Sequence, residues 1–314
     1  MTSLDEEGIP HPIIITESGR ALVAYYSVLL FNVLDVTRFR PDPLPATLPE
    51  DSPSSLEYMF QALNSLNIRN IQEVLNDVIF YRDETRRLFH NGEITLRQRS
   101  LGEQLFWTTI TEVNRLAKDL KNPGPELTDL DRVLADIYHC NFSVFQSLPD
   151  SWAIEQIFPV MPIHRLAEEP TRNAIIADIT CDCDGKIDQF IDKRGMRRYL
   201  ALHELRPYEE YTLGVFLVGA YQETLGDLHN LLGDTNVVTI RILEGGEFEF
   251  VSEQEGDTVA EVLAYVQYDP KRLFVSFRKA AEQAVRKGLI TAQERREIVA
   301  AYEAGLRGYT YFEQ

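Results

Sequence analysis

The chain has 314 residues, of which 44% are hydrophobic and 25% are charged, and its formal net charge is −18. This composition is typical of a globular protein of two or three domains, and the acidic surface disfavours binding to nucleic acids or anionic membranes. No apolar stretch is long enough to span a bilayer, the acidic N-terminus fits no targeting signal, and the three cysteines lack framework spacing. We therefore expect a cytoplasmic protein with free thiols that attracts cationic ligands.

The first predicted elements form a βα unit. The β-branched run at 13–15 predicts a buried strand, residues 17–20 predict a turn, and the apolar stretch 21–36 predicts a buried helix or a helix and a strand run together. One such unit cannot cover both faces of a parallel strand. The rest of that sheet is therefore expected to come from elsewhere.

A helical region follows a linker predicted at residues 41–53. Ser54-x-x-Glu57 and Thr95-x-x-Gln98 match the capping-box pattern, and each precedes apolar residues at helical spacing. The same spacing from Ile71 predicts a further helix, and a shorter one is expected near 130–137. Together these helices predict a small antiparallel bundle over residues 54–140.

The pattern then changes to a β domain, predicted at residues 141–268. Gly245-Gly246 predicts a hairpin turn between the last two strands, and Thr291-x-x-Glu294 predicts a capped helix in a C-terminal helical segment, residues 269–314. Strands are predicted at 174–180, 199–205, 211–220, 237–243 and 247–251, and further helices at 258–266 and 271–287.

Glu17, Gly19 and Arg20 follow the first predicted strand. A glycine lets the backbone approach a phosphate closely, and an arginine offers it a bidentate fork. A carboxylate beside a pyridinium nitrogen would keep that nitrogen protonated. The alternative is a surface turn with incidental charges.

The segment Cys181-Asp182-Cys183-Asp184-Gly185 allows three interpretations. It could bind a metal, although no second cysteine pair exists; it could be a redox pair; or it could be an acid-rich turn. Tyr221 ends an apolar strand and could donate its hydroxyl to a phosphate, although an ordinary core tyrosine is the commoner case.

These motifs together resemble the C-terminal half of a biosynthetic arginine decarboxylase of the alanine-racemase-like fold. The resemblance implies that Glu17 contacts the pyridine nitrogen of pyridoxal phosphate. It also implies that Gly19, Arg20 and Tyr221 hold the cofactor phosphate. Mg²⁺ is a further cofactor that the resemblance implies, with no ligand assigned to it.

The resemblance also assigns the cysteine loop. It implies that Cys181 is the catalytic thiol that directs protonation after CO₂ leaves, with Cys183 as the alternative. Asp182 and Asp184 are implied to bind the guanidinium of the substrate. In the family this loop reaches the active site of the partner subunit.

A final motif, residues 226–236, aligns with the loop that closes over the substrate. It places His229 and Asn230 in the pocket, although His229 could equally be a satisfied loop histidine.

The resemblance thus implies an α+β multidomain fold. Residues 1–40 would be the last βα unit of a (β/α)₈ barrel that binds pyridoxal phosphate, followed by the inserted bundle, a β-sandwich or β-barrel-like domain and terminal helices. The implied reaction converts L-arginine to agmatine and CO₂ in polyamine biosynthesis, in a homodimer or homotetramer with shared active sites.

No segment matches the piece that carries the Schiff-base lysine. We therefore expect this chain to supply only the C-terminal half of the enzyme and to be inactive alone, either as a truncated product or as half of a split enzyme. The alternative is a non-catalytic regulatory paralogue that pairs with a full-length decarboxylase.

Overall fold

The structure is a computed structural model that describes residues 2–39, 43–193 and 195–313. The strands are β1 Val28–Thr37, β2 Asp136–Cys140, β3 Val160–Pro162, β4 Arg172–Ala177, β5 Lys186–Ile187, β6 Phe190–Asp192, β7 Gly195–Arg197, β8 Leu200–Leu202, β9 Thr212–Phe216, β10 Val237–Ile242 and β11 Phe248–Gln254. The helices are α1 Thr2–Glu6, α2 Gly19–Val23, α3 Ser54–Ser65, α4 Ile71–His90, α5 Leu96–Ala117, α6 Pro125–Thr128, α7 Leu130–Val133, α8 Val144–Ser147, α9 Pro149–Ala153, α10 Val259–Tyr265, α11 Pro270–Arg286 and α12 Ala292–Arg307.

A seven-stranded, barrel-like sheet forms the main core, in the order β3-β9-β1-β2-β4-β5, with β8 also paired to β4. The long strand β1 joins its two halves, because its first half pairs antiparallel with β9 and its second half antiparallel with β2. Phe31 of β1 stacks on Phe142, which follows β2, with a distance of 4.0 Å between the two ring centroids. The sheet is completed by the parallel pairing of β2 with β4.

The helical bundle lies between β1 and β2 in the chain and has its own core. Leu56, Val78 and Leu105, one from each of its three long helices, are fully buried. Gly102 allows α5 to approach α4 closely, because a Cβ at position 102 would lie 2.9 Å from the Thr85 side chain of α4. The capping box predicted at Thr95 and Gln98 is confirmed at the start of α5.

The C-terminal part also follows the prediction closely. Gly245 and Gly246 both have positive φ and form the turn of the β10–β11 hairpin. Thr291 caps α12 as predicted, and Thr258 forms a further capping box at α10. The chain end packs against the irregular segment before β10, where the Tyr311 hydroxyl donates to the Gly233 carbonyl at 2.8 Å.

The predicted strand at 13–15 is wrong. These residues are irregular, and Ile13 and Ile15 are 92% and 88% exposed. A strand needs a neighbour for its backbone groups, and no strand of the described residues pairs with this segment. The stretch 21–36 is a short helix followed by a strand, as one of the two alternatives predicted, but β1 is antiparallel to both of its neighbours.

Two details of the predicted bundle are also wrong. The helix α3 begins at Ser54 with Pro53 as its N-cap, so Ser54 does not form the predicted cap. The predicted helix at 130–137 ends at Val133, because Ile137 belongs to β2. A bidentate ion pair between buried Asp136 and Arg172, with N–O distances of 2.6 and 2.7 Å, fixes β2 against β4.

The β domain therefore draws strands from 28–37 and 136–140 as well as from residues 141–268. The domain boundaries as a whole remain a prediction. Residues 41 and 42 of the predicted linker lie outside the described residues, as do Met1, Arg40 and Gln314 at domain ends. Within the described part of the chain, no helix has the length and hydropathy that crossing a membrane requires.

Candidate active site

Two of the predicted phosphate-binding side chains meet in the structure. The Arg20 guanidinium lies 5.1 Å from the centroid of the Tyr221 ring, a cation–π arrangement. Gly19 lies next to the hydroxyl of this tyrosine, since a Cβ at position 19 would lie 3.4 Å from the Tyr221 hydroxyl oxygen. Residues about 200 positions apart in the chain therefore form one cluster with a cation, a hydroxyl and an exposed stretch of backbone.

A buried carboxylate orients Arg20. Its Nη1 donates to the Asp150 carboxylate at 2.6 Å, and that side chain is only 8% exposed. The Gln222 side chain donates to the same carboxylate at 2.6 Å and accepts from the Asp150 backbone N–H at 3.1 Å. Asp150 thus links the segment that carries Arg20 to the segment that carries Tyr221.

The backbone before Tyr221 is tightly constrained. Gly219 donates to the Ala24 carbonyl at 3.0 Å, and a Cβ at Gly219 would lie 2.2 Å from the Val23 carbonyl oxygen. Tyr221 itself has a φ of 69°, in the region that favours glycine. The close approach of 219–221 to residues 23–26 brings the Tyr221 ring to the start of α2.

The cysteine loop is organised by Asp178, which is buried. Its carboxylate accepts from the backbone N–H of Thr180 and from that of Val144, both at 2.8 Å. The loop is closed by the Asp178 N–H donating to the Gly185 carbonyl at 2.8 Å. The two ends of the segment 179–184 are therefore held together by hydrogen bonds.

Cys181 is the loop cysteine that contacts the second predicted substrate loop. The Asn230 side-chain amide donates to Cys181 Sγ at 3.3 Å, and its oxygen accepts from the Cys181 N–H at 3.4 Å. Asn230 has a φ of 57°, a conformation that asparagine tolerates better than most residues. One side chain thus fixes both the backbone and the thiol of Cys181.

His229 lies beside the same loop. Its ring packs on Phe145 at 4.4 Å between centroids, and its Nε2 is 3.6 Å from an Asp182 carboxylate oxygen. That nitrogen is buried and has no hydrogen-bond partner in the described part of the chain. Protonation of the imidazole would convert this approach into an ion pair.

The structure does not unite every predicted residue. Glu17 is exposed on the irregular segment before α2, and no hydrogen bond or ion pair within the described residues holds it. Asp184 and Cys183 are exposed and group with Asp182, their ligand atoms lying within 4.8 Å of one another. This mixed set includes a thiol and does not match the all-oxygen coordination that Mg²⁺ prefers.

Sequence reasoning missed Asp150, Gln222 and Phe145. Gln222 directly follows the predicted Tyr221, which is the only sequence signal for it. Asp150 and Phe145 lie in the short helices α9 and α8, and no motif distinguishes them. Trp152 joins the two clusters by packing on Phe145 at 5.5 Å, within the same helix as Asp150.

Two family descriptions match separate parts of the chain. Residues 49–131 match the arginine decarboxylase helical bundle domain, and residues 259–312 match the arginine decarboxylase C-terminal helical extension. The chain is 47% identical to the biosynthetic arginine decarboxylase of Bacteroides thetaiotaomicron over 98% of its own length and 49% of the relative's. A relative of the same name from Phocaeicola vulgatus is 46% identical with the same coverage of both proteins.

A solved structure of a protein with the same name also matches this chain. The biosynthetic arginine decarboxylase SpeA from Campylobacter jejuni matches 100% of this chain and 50% of its own, with a TM-score of 0.78 and 30% identity. The chain spans about half the length of the curated relatives it matches. It belongs to the biosynthetic arginine decarboxylase family and corresponds to the C-terminal half of its members.

Proposed function

We propose that this chain contributes to the pyridoxal-phosphate-dependent decarboxylation of L-arginine to agmatine, as the names of its relatives suggest. The observation that carries the proposal is the convergence of Gly19, Arg20 and Tyr221 on one point. The proposal includes a cytoplasmic location, and it limits any part in a (β/α)₈ barrel to residues 2–27, because residues 28–37 form a strand of the β domain.

The first cluster fits a phosphate group. Gly19 leaves its backbone open toward the Tyr221 hydroxyl, and the Arg20 side chain is part-exposed with one guanidinium nitrogen already held by Asp150. The remaining guanidinium donors and the hydroxyl are suitable partners for phosphate oxygens. When bound, pyridoxal phosphate would supply the electron sink for loss of CO₂, and Glu17 would face its ring nitrogen.

The second cluster fits the substrate end of the reaction. Asp182 and Asp184 offer carboxylates to a guanidinium, which binds such groups through its planar fork. Asn230 holds the Cys181 thiol, which would deliver a proton to the carbon that has lost CO₂. A thiol suits this step because it is a weak acid that can give its proton to a carbanion.

We further propose that the cysteine loop serves the active site of a second subunit in a homo-oligomer. The exposed position of Cys181 and Asp184 supports this arrangement, because both residues remain open to solvent even though Asn230 contacts Cys181. The Schiff-base lysine would come from the other half of the enzyme, so the chain alone would lack activity. Nothing in the geometry favours the regulatory-paralogue alternative.

The test combines this chain with the N-terminal half of the B. thetaiotaomicron relative. We expect cofactor absorbance and arginine-dependent CO₂ release from the mixture. Arg20→Ala should weaken cofactor binding by about 2–4 kcal/mol, as the loss of a charge-assisted phosphate contact does. Arg206→Ala, which removes an exposed arginine paired with Glu168, is the control and should bind normally.

The same mixture tests the thiol. Cys181→Ala should slow turnover strongly, while the neighbouring Cys183→Ser should remain close to the unmodified chain. The opposite ranking would move the role to Cys183, and two near-neutral variants would show that neither thiol donates the proton. Failure of every mixture to release CO₂ while cofactor binds would contradict the proposed reaction.

A further inference from the structure

The C-terminal helices α10, α11 and α12 form a unit whose two ends lie side by side. Thr258, just before α10, pairs with Tyr309, just after α12, in an isolated antiparallel bridge. Beside this bridge, the Val259 N–H donates to the Gly308 carbonyl at 2.9 Å. The part of the chain that matches the arginine decarboxylase C-terminal helical extension is therefore closed on itself.

Both ends of this unit bind the second predicted substrate loop, residues 226–236. From the first end, the Asp257 carboxylate accepts from the Asp234 N–H at 2.9 Å, and the Asp257 N–H donates to the Asp234 carbonyl at 3.1 Å. From the second end, the Tyr309 hydroxyl accepts from the Asn236 N–H at 3.1 Å. The C-terminal half of the loop is thus fixed to the helical unit.

The chain end, residues 309–312, forms a C-terminal strap over the same loop. Gly233 is held through both of its backbone groups. Its N–H donates to the Thr310 hydroxyl at 3.1 Å, and its carbonyl accepts from the Tyr311 hydroxyl at 2.8 Å. Tyr311 is only 6% exposed, so this contact is shielded from water.

The C-terminal strap is itself anchored to the main sheet. The Asn141 side chain, which follows β2, donates to the Phe312 carbonyl at 2.8 Å and accepts from the Phe312 N–H at 3.1 Å. The Asn141 N–H donates in turn to the Asn32 carbonyl of β1 at 3.0 Å. The strap therefore ties the loop to two neighbouring strands of the sheet.

The loop held in this way contains two strained residues. Asn230 and Leu231 have φ angles of 57° and 59°, a region that leucine rarely adopts. Such conformations persist only where the surrounding structure holds them. Gly233 lies two residues further on and is the point at which the strap holds the loop. Since Asn230 contacts both the N–H and the Sγ of Cys181, release of this point would loosen that contact.

We propose that Tyr311 is a positioning residue that, through Gly233, holds Asn230 against Cys181. The C-terminal helices then have a part in the reaction, because they return the strap to the loop. The inference rests on the proposed function in one respect, namely that Cys181 and Asn230 belong to the substrate site. The contact between the two loops can be measured whether or not the reaction takes place.

Amide hydrogen exchange of the purified 314-residue chain tests the inference. Mass spectrometry reads the exchange in peptides that cover 179–185 and 226–236. Tyr311→Phe removes one hydroxyl and keeps the ring, and it should speed exchange in both segments by about fivefold or more, because local opening sets the exchange rate. Thr310→Val removes the other hydrogen bond to Gly233 and should act in the same direction.

Tyr138→Phe is the matched control. Tyr138 is also buried, and its hydroxyl also donates to a backbone carbonyl, that of His203, at 2.9 Å. This change should leave exchange in both segments unchanged well below the thermal midpoint. Asn230→Ala should speed exchange in 179–185, and adding Tyr311→Phe to it should produce no further increase there. Such non-additivity distinguishes positioning from a general loss of stability.

The mixture of this chain with the N-terminal half of the relative gives a second readout. Tyr311→Phe should lower kcat by about fivefold or more, while cofactor affinity, which depends on the Arg20 cluster, stays unchanged. Faster exchange in 179–185 without activity in any mixture would contradict the proposed reaction and support the positioning role. Exchange there that is unchanged in Tyr311→Phe, equally fast in Tyr138→Phe, or additive with Asn230→Ala would overturn the inference.

Discussion

At the scale of single residues, a few buried carboxylates determine the geometry of the candidate site. Asp150 holds Arg20, and Asp178 holds the base of the cysteine loop. Neither was predicted from the sequence, because an aspartate that forms buried hydrogen bonds looks the same in a sequence as one in a solvated turn. Arg20 and Tyr221 could be predicted because they belong to short motifs that resemble those of a known family, although the strand predicted before Arg20 is absent and the strand before Tyr221 ends at Phe216.

The coupling between Arg20 and Asp150 can be measured. Arg20→Met and Asp150→Asn, singly and together, form a double-mutant cycle for the free energy of unfolding. We expect a coupling energy of about 1–2 kcal/mol, since the hydrogen bond is charged and one partner is buried. Additive effects of the two changes would mean that the ion pair does not contribute to stability.

The three cysteines differ in environment and should differ in reactivity. Cys140 is buried, and burial, with a smaller contribution from Asp178, raises the pKa of its thiol well above the usual range. Cys181 and Cys183 are exposed. We expect two of the three thiols to react with a chromogenic disulfide reagent in the native chain, and the third only in denaturant. Equal reaction rates for all three would contradict the burial of Cys140.

At the scale of elements, helices were predicted better than strands. Capping boxes at Thr95 and Thr291 and long apolar repeats identify helices locally. Strands depend on partners far away in the chain. The run at 13–15 has strand-like residues but no partner strand. The residues of β2 follow a helical pattern in the sequence, and their strand conformation depends on pairing with β4, where Arg172, far away in the chain, binds Asp136.

The closure of the cysteine loop depends on a glycine. A Cβ at Gly185 would lie 2.2 Å from Asp178 Oδ1 and 2.3 Å from Thr180 Oγ1. Gly185→Ala should therefore cost about 1–3 kcal/mol in the free energy of unfolding, as overpacking does.

Gly305→Ala is the matched control for that substitution. This glycine lies within α12, and nothing surrounds its Cβ position within 4 Å. Alanine there should stabilise the chain by about 0.5–1 kcal/mol, because glycine is a poor helix former. Chemical denaturation of both variants gives the comparison. A neutral Gly185→Ala would show that the loop can open at no cost.

At the scale of the whole molecule, the buried neutral acids of the sheet domain predict alkaline instability. Burial raises the pKa values of the Tyr138, Cys140 and Tyr311 side chains above their ordinary values. The unfolded chain loses these protons at the ordinary pKa values, whereas the folded chain keeps them. Their stabilising contribution is therefore complete only below about pH 8, before the thiol reaches its ordinary pKa, and it declines as the pH rises.

Thermal and denaturant unfolding between pH 8 and pH 11 checks this prediction. Above its ordinary pKa, each group should remove about 1.4 kcal/mol of unfolding free energy per pH unit. Tyr138→Phe should make the decline of the unfolding free energy with pH shallower. The same change removes the 2.9 Å hydrogen bond that the Tyr138 hydroxyl donates to the His203 carbonyl. Tyr265→Phe, at an exposed position, should not change the slope, and a flat profile for the unmodified chain would contradict the burial argument.

The place of the helical bundle in the chain has a consequence for the entropy of folding. Thr37 pairs directly with Ile137 in the β1–β2 ladder, so the whole bundle is the loop of a single antiparallel hairpin. Joining two strands across so long a disordered loop would cost only logarithmically more than across a short one. A bundle that folds on its own core brings its two ends together in advance and reduces that cost further. Insertion or removal of such a unit during evolution would therefore leave the register of the sheet intact.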